Sequence, residues 1–80
     1  MYRSISKASQ EFTKRFGCVP TRVLLSNTQC QLLFDEMYGW QKEVIIKENR
    51  VLGLAISNSM VVDTDFMLVS KHHFMVVHIN

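Results

Sequence analysis

The carboxyl-terminal half of this 80-residue chain limits the possible folds most strongly. Between Val44 and Ile79, 20 of 36 residues are apolar, many of them β-branched or aromatic, and proline is absent. Residues of these types are enriched in strands. Polar breaks at residues 48–50, 57–59, 63–65 and 70–71 indicate turns. The pattern predicts four strands and, at Met60–Val62, either a short extra strand or an apolar loop; the four are Val44–Lys47, Val51–Ser57, Phe66–Val69 and His73–Ile79.

The first half of the chain has a helical period instead. Apolar residues recur at spacings of three and four, which predicts a one-sided helix over Ser4–Phe16; they are Ile5, Ala8, Phe12 and Phe16. Gly17 is a natural left-handed stop, and Pro20 prevents the helix from resuming. Thr21–Leu25 follows as a short predicted strand.

A second helix begins with a local signature. Ser26 with Gln29 three residues later fits a capping box, in which each side chain satisfies a free amide of the first turn. Behind it the apolar positions keep the helical period up to Gly39, where the helix is expected to end; they are Cys30, Leu33, Phe34, Met37 and Tyr38.

Together these elements predict an α+β fold of a single domain over residues 1–80. Two helices pack on a small, mostly antiparallel sheet in the order α-β-α-β-β-β-β. Gly53, inside a predicted strand, suggests a bulge or a close backbone approach. The runs Val44-Ile45-Ile46 and Met75-Val76-Val77 place apolar groups on both faces of the sheet. Because two helices cover one face, the other face or an edge needs a partner, which predicts a homodimer or a tight hetero-association.

Charge is unevenly placed along the chain. Residues 1–22 carry five basic residues against Glu11 alone, whereas residues 23–80 carry four basic and six acidic residues. Arg3, Lys7 and Lys14 have nearly helical spacing, and Arg15 follows them. A basic helix of this kind favours a polyanion, and aromatic side chains such as Tyr2 and Trp40 can stack on bases. A nucleic-acid-binding regulator is therefore an alternative function, although a net charge of +2 is low for a dedicated binder.

No strong catalytic motif is present, and we expect neither catalytic residues nor a cofactor. His72, His73 and His78, with Asp63 and Asp65 nearby, suggest a metal site. Neighbouring residues of a strand point to opposite faces, so these histidines are not expected to share one ion. Two cysteines are too few for a disulfide framework, and Cys30 on an apolar stripe is expected to be an inert thiol with a raised pKa. No run of 18 apolar residues exists, and no signal peptide is recognisable, so a cytoplasmic location is expected.

Residues 23–69 carry a set of short motifs in a fixed order. Val23-Leu24-Leu25-Ser26-Asn27 leads into the Cys30–Tyr38 helix, then come Leu52-Gly53-Leu54-Ala55-Ile56-Ser57-Asn58-Ser59-Met60 and Asp65-Phe66-Met67-Leu68-Val69. This order resembles a piece of the tailed-phage major capsid fold, and small phage-encoded proteins are similar in the same places. The family has proline where Ala55 and Val61 stand here, and its long helix and shell-forming extensions are missing. The resemblance implies a phage-type origin and a protein-contact role, with no catalytic residues to carry over.

The function expected from these observations is that of a small non-enzymatic protein that binds a macromolecular partner. The partner is either a virion component or a host or defence protein that the chain inhibits. The residues expected to contact it lie on the basic helix, near the second helix and on the last strand; they are Arg3, Lys7, Lys14, Arg15, Trp40, Phe74, Val76 and His78.

Overall fold

The computed structural model describes residues 1–79, which form three helices and five strands of an α+β fold. The helices are α1 (Tyr2–Phe16), α2 (Asn27–Glu36) and α3 (Trp40–Glu48). The strands are β1 (Arg22–Leu24), β2 (Arg50–Val51), β3 (Leu54–Ser57), β4 (Asp65–Val69) and β5 (Phe74–His78).

Helix α1 forms where the helical period predicts it, starting two residues earlier. Ile5, Ala8 and Phe12 of its apolar stripe are buried against the sheet. Gly17 ends the helix with a φ of 72°, and its amide donates to the carbonyl of Thr13. A left-handed residue at this position is the usual helix stop, and glycine adopts it without steric cost.

The capping box at the start of α2 is confirmed, but the predicted end of that helix is wrong. Gln29 Oε1 accepts from the Ser26 amide at 2.8 Å, and Ser26 Oγ accepts from the Gln29 amide at 3.1 Å. The helix ends at Glu36, because Met37 has an extended backbone with φ −86° and ψ 157°. Its side chain is still buried, whereas that of Tyr38 is exposed.

The predicted strand Val44–Lys47 is wrong, because these residues lie in the third helix, α3. Good helix formers flank the three β-branched residues on both sides: Gln41, Lys42 and Glu43 before them, Lys47 and Glu48 after them. Their summed propensity favours the helix over the strand preference of Val44-Ile45-Ile46. Asn49, with φ 53°, ends α3 in the left-handed conformation.

The predicted strand Val51–Ser57 is divided by a two-residue hairpin turn. Leu52 and Gly53 have φ values of 51° and 78° and connect β2 to β3. Two consecutive positive φ values are typical of the type I′ turn, which matches the twist of the flanking strands. The bulge expected at Gly53 is therefore a hairpin turn. Met60–Val62 contains no strand and is the apolar loop that the sequence left as an alternative.

Replacing Leu52 by asparagine is expected to stabilise the protein. A bulky residue such as leucine is strained at positive φ, whereas Asn-Gly is a preferred pair in a type I′ turn. Leu52 is 44% exposed, so only part of its packing is lost. We expect the free energy of unfolding to rise by about 0.5–1 kcal/mol, the range seen when a residue suits its native backbone better. Urea denaturation of both proteins measures it, and a lower midpoint for Leu52→Asn would show that the Leu52 side chain contributes more by packing than it costs in strain.

The five strands form one mixed sheet in the order β2-β3-β1-β4-β5. Strand β1 is central; it pairs in parallel with β3 and antiparallel with β4, and the other two neighbouring pairs are antiparallel. A parallel pair needs a long crossover, which α2 and α3 supply between β1 and β3. The sheet thus has a parallel pair at its centre, and the predicted α-β-α-β-β-β-β order is corrected to α-β-α-α-β-β-β-β.

The apolar side chains of the three helices pack on the same side of this sheet. Alternate strand residues form the buried core with residues of α1 and α2; from the strands these are Val23, Val51, Leu54, Ile56, Phe66, Leu68 and Met75. We call this side the inner face. Because side chains alternate along a strand, the intervening residues lie on the opposite side, the outer face.

The start of α1 is capped by a residue at the end of α2, which is distant in the sequence. Met1 supplies no side-chain cap for α1, but Glu36 Oε2 accepts from the Tyr2 amide at 2.8 Å and Glu36 Oε1 lies 2.6 Å from the Met1 amine. The hydrogen bond from that amine, followed by the one from the Tyr2 amide, lowers the pKa of the Glu36 carboxyl below its usual range.

The Glu36 contact is expected to make stability depend on acid pH. Because its folded-state pKa is lowered, Glu36 stabilises the fold above its unfolded pKa, and that contribution is lost as pH falls through the folded value. Glu36 is substantially exposed, so its contribution is expected to stay below about 1 kcal/mol. Glu36→Gln should thus be less stable than the parent at pH 7, and the difference should be smaller at pH 2.5. Thermal melts at both pH values measure the difference, with Asp35→Asn as the control; an equal loss at both pH values would contradict the assignment.

Candidate protein-binding surface

The outer face of the sheet is mostly apolar around Arg22 of the central strand, and the described elements leave it uncovered. None of its residues is buried, although most are apolar. Phe74 is 66% exposed and Val76 40% exposed. The apolar members, which we call the outer apolar patch, are Leu24, Ala55, Met67, Val69, Phe74 and Val76. Arg22 lies inside the patch on the central strand, and its guanidinium donates to Ser57 Oγ. The other polar residues border the patch; they are Arg50, Ser57, Asp65 and His78.

The strand register places these residues in rows across the sheet. Arg22 lies between Ala55 and Val69, and Val69 is followed by Phe74. The next row runs from Ser57 through Leu24, Met67 and Val76. Protein–protein interfaces are rich in apolar residues and in arginine and have a polar rim, and exposed apolar patches mark interaction sites.

The two edge strands of the sheet, β2 and β5, have different surroundings. Next to β2, Asn49 covers the continuation of β3: its carbonyl accepts from the Ile56 amide and its Nδ2 donates to the Ile56 carbonyl, both at 2.8 Å. Strand β5 at the other edge has β4 as its single neighbour in the described sheet. Its sequence contains no lysine, arginine or proline, the residues that commonly protect an edge. The two edge strands are therefore β2 (Arg50–Val51) and the longer β5 (Phe74–His78).

A groove of about 530 Å³ runs between α1 and the β5 edge. Its floor is apolar and includes Ala8, Phe66 and Val77, while its helix side carries exposed charges from Lys7, Glu11 and Arg15. The groove opens on the inner side of β5, so the edge strand borders both this groove and the outer apolar patch.

A second, smaller groove of about 300 Å³ lies beside α3. Trp40, which is 71% exposed, lines it together with Tyr2 and Leu52. The structure therefore brings together the two aromatic residues singled out in the sequence as possible stacking groups, at a place away from β5.

The eight residues expected to bind a partner fall on three separate surfaces. Phe74, Val76 and His78 lie on the outer face of β5. Trp40 lies in the second groove. The basic residues are exposed on α1, which covers the inner face, and Lys7 and Arg15 border the first groove; the set is Arg3, Lys7, Lys14 and Arg15.

The histidines and cysteines are dispersed. His78 Nδ1 lies 2.7 Å from Asp65 Oδ1, and the His73 ring stacks on Phe16 with centroids 4.6 Å apart. Within residues 1–79, no group of three or more His, Cys, Asp or Glu side chains is arranged to hold a metal ion. Both cysteines are free thiols, and burial raises the pKa of Cys30 as expected.

Sequence reasoning named Phe74 and Val76 but missed the rest of the outer apolar patch. The alternation in Asp65-Phe66-Met67-Leu68-Val69 carried the signal, since Phe66 and Leu68 are buried and Met67 and Val69 lie opposite them. Which of the two alternating sets faces the helices depends on packing that the sequence pattern alone does not determine.

No helix in residues 1–79 is both long and apolar enough to cross a membrane. A comparison of the chain with known protein families, with curated proteins and with solved structures gives no match.

Proposed function

We propose that this chain is a small non-enzymatic interaction protein that binds a protein partner through the outer apolar patch. One observation supports this most directly: a sheet face with six apolar side chains is left open while the opposite face holds the whole buried core. Burying apolar surface stabilises a complex by roughly 25 cal/mol per Å² before the costs of association. The phage-type origin, with a virion component or a host defence protein as partner, stays a prediction from the sequence resemblance.

Phe74 is a suitable position for testing this proposal, because a photoreactive phenylalanine derivative changes the shape of its side chain little. A photoreactive phenylalanine derivative at residue 74 should, after irradiation of cells expressing the protein, give a covalent adduct heavier than two copies of the chain. The matched control carries the same group at Leu32, which is exposed on α2. We expect adducts at position 74 and not at 32. Adducts of equal yield at both positions, adducts of two copies alone, or none would overturn the proposal.

A nucleic-acid-binding regulator is the second candidate. Tyr2 and Trp40 share one groove with Arg50, and α1 exposes its basic side chains. Stacking on aromatic rings combined with phosphate contacts is a common way to hold single strands. Quenching of Trp40 fluorescence by a single-stranded oligonucleotide, weakening steeply as salt rises, would support this candidate. An unchanged signal at low salt excludes it.

A further inference from the structure

The backbone of β5 has a free side whose register can be assigned. The Ser70 amide donates to the His73 carbonyl, and the Ile79 amide donates to the Thr64 carbonyl. Inward and outward groups alternate along an antiparallel strand, so residues 73, 75, 77 and 79 pair with β4. The backbone amides and carbonyls of Phe74, Val76 and His78 therefore point away from β4, in the plane of the sheet.

From this edge we infer that a second copy of the chain adds to β5 as an antiparallel neighbour, about a twofold axis at Val76. A twofold antiparallel pair uses the same surface on both copies and closes, giving a dimer. Centring the axis on Val76 pairs all three outward residues, because Phe74 then lies opposite His78 of the second copy and Val76 lies opposite its own equivalent. Centring it on Met75 or Val77 leaves one of the three without a partner.

The side chains around this axis form compatible pairs between the two copies. On the outer face, Val76 meets Val76, and aromatic Phe74 meets the imidazole of His78, which has Asp65 beside it. Pairs of apolar or aromatic side chains directly across strands stabilise a sheet. The outer apolar patches of the two copies would then join through Met67 and Val76 into one continuous surface.

On the inner side, the α1–β5 groove has room for side chains of the added strand. Val77 of the second copy, which is only partly buried in its own chain, would lie beside the apolar floor of Ala8, Phe66 and Val77. Both signs of charge line the helix side, with Lys7 and Arg15 flanking Glu11. A helix side that carries both signs of charge repels its own copy less than a uniformly basic helix would.

Cysteine substitutions test the register directly. In a background of Cys18→Ser and Cys30→Ala, Val76→Cys places two thiols on residues whose Cα atoms are about 5.5 Å apart in a hydrogen-bonded pair. This separation lies within the range of about 4.4–6.8 Å that a disulfide spans. Exchange with oxidised glutathione, which releases two reduced glutathiones, should therefore link two chains in most of the protein. Phe74→Cys is the matched control, since its equivalents would lie roughly 13 Å apart along the strands.

A mixing experiment completes this test. Phe74→Cys mixed with His78→Cys should form a mixed disulfide dimer, whereas each alone should stay unlinked. Linkage of Phe74→Cys alone at the same rate as Val76→Cys would show random collision and overturn the inference, as would the absence of linkage at Val76. The readouts are non-reducing electrophoresis and intact mass.

Light scattering of the unmodified chain provides an independent measurement. We expect a mass of two chains at high micromolar concentration, and a monomer for Val76→Pro, which removes an outward amide but no bond to β4. Val61→Pro, in the exposed loop, should remain a dimer. A monomeric parent protein would overturn the twofold pairing. Hetero-adducts from position 74 would still support the proposed function in that case, so the two ideas fail separately.

Discussion

Replacing Phe12 by alanine is expected to lower the free energy of unfolding by about 3–5 kcal/mol, as for other buried aromatic residues. Phe12 is fully buried and anchors α1 to the inner face. Its ring also packs edge-on against Phe16, with centroids 4.7 Å apart, and Phe16 stacks on His73 at the turn before β5. A chain of this length is expected to have a net stability of about 4–12 kcal/mol, so the loss is a large part of the total.

Urea denaturation followed by circular dichroism measures this loss. Val61→Ala is the control, since that side chain is 96% exposed and its removal should change stability by less than about 0.5 kcal/mol. If Phe12→Ala changed the midpoint no more than Val61→Ala does, α1 would not be packed on the sheet as described. The groove beside β5 would then also lack its helix wall.

Replacing Gln29 by alanine is expected to lower the free energy of unfolding by about 2–4 kcal/mol, the range for losing a cap and leaving buried polar groups unpaired. Gln29 is fully buried, and besides the capping box its Nε2 donates to the carbonyls of Asp63 and Asp65 at 3.1 and 2.7 Å. One side chain therefore connects the start of α2 to the start of β4.

Two variants separate the parts of this contact. Gln31→Ala on the same helix removes an exposed glutamine whose amide bonds only to Asp35, and it should cost less than about 0.5 kcal/mol. Gln29→Glu keeps the acceptor for the Ser26 amide but sets a carboxylate oxygen against two carbonyls, so it should be at least as destabilising as alanine. Equal denaturation midpoints for Gln29→Ala and Gln31→Ala would show that Gln29 does not hold β4.

Local signals in the sequence predicted those elements whose formation depends on neighbouring residues. The Ser26–Gln29 box and the α1 stripe ended at Gly17 were found because a few adjacent positions decide them. The segment Val44-Ile45-Ile46 was mistaken for a strand because β-branched residues were weighed without their flanking helix formers. The Leu52–Gly53 turn was missed because leucine is an unusual residue at positive φ.

The uncovered sheet face was predictable in kind but not in position. The apolar character of both strand faces indicated that one face lacks a cover, and Phe74 and Val76 do lie on that face. The spatial order of the strands could not be obtained, because β1 pairs with β3 and β4 through contacts far apart in the chain. Without that order, the two edge strands, β2 and β5, cannot be assigned.

The central position of β1 has a consequence for how the chain folds. Both hairpins, β2–β3 and β4–β5, join neighbouring segments and can form within microseconds. Strand β1 is synthesised before either of them, yet both of its neighbours belong to them. Strand β1 stays unpaired until the long chain segments that separate it from β3 and β4 have closed into loops, and such long-range closures make folding slow. The rate-limiting event is therefore expected to be the insertion of Val23 and its neighbours between two preformed hairpins.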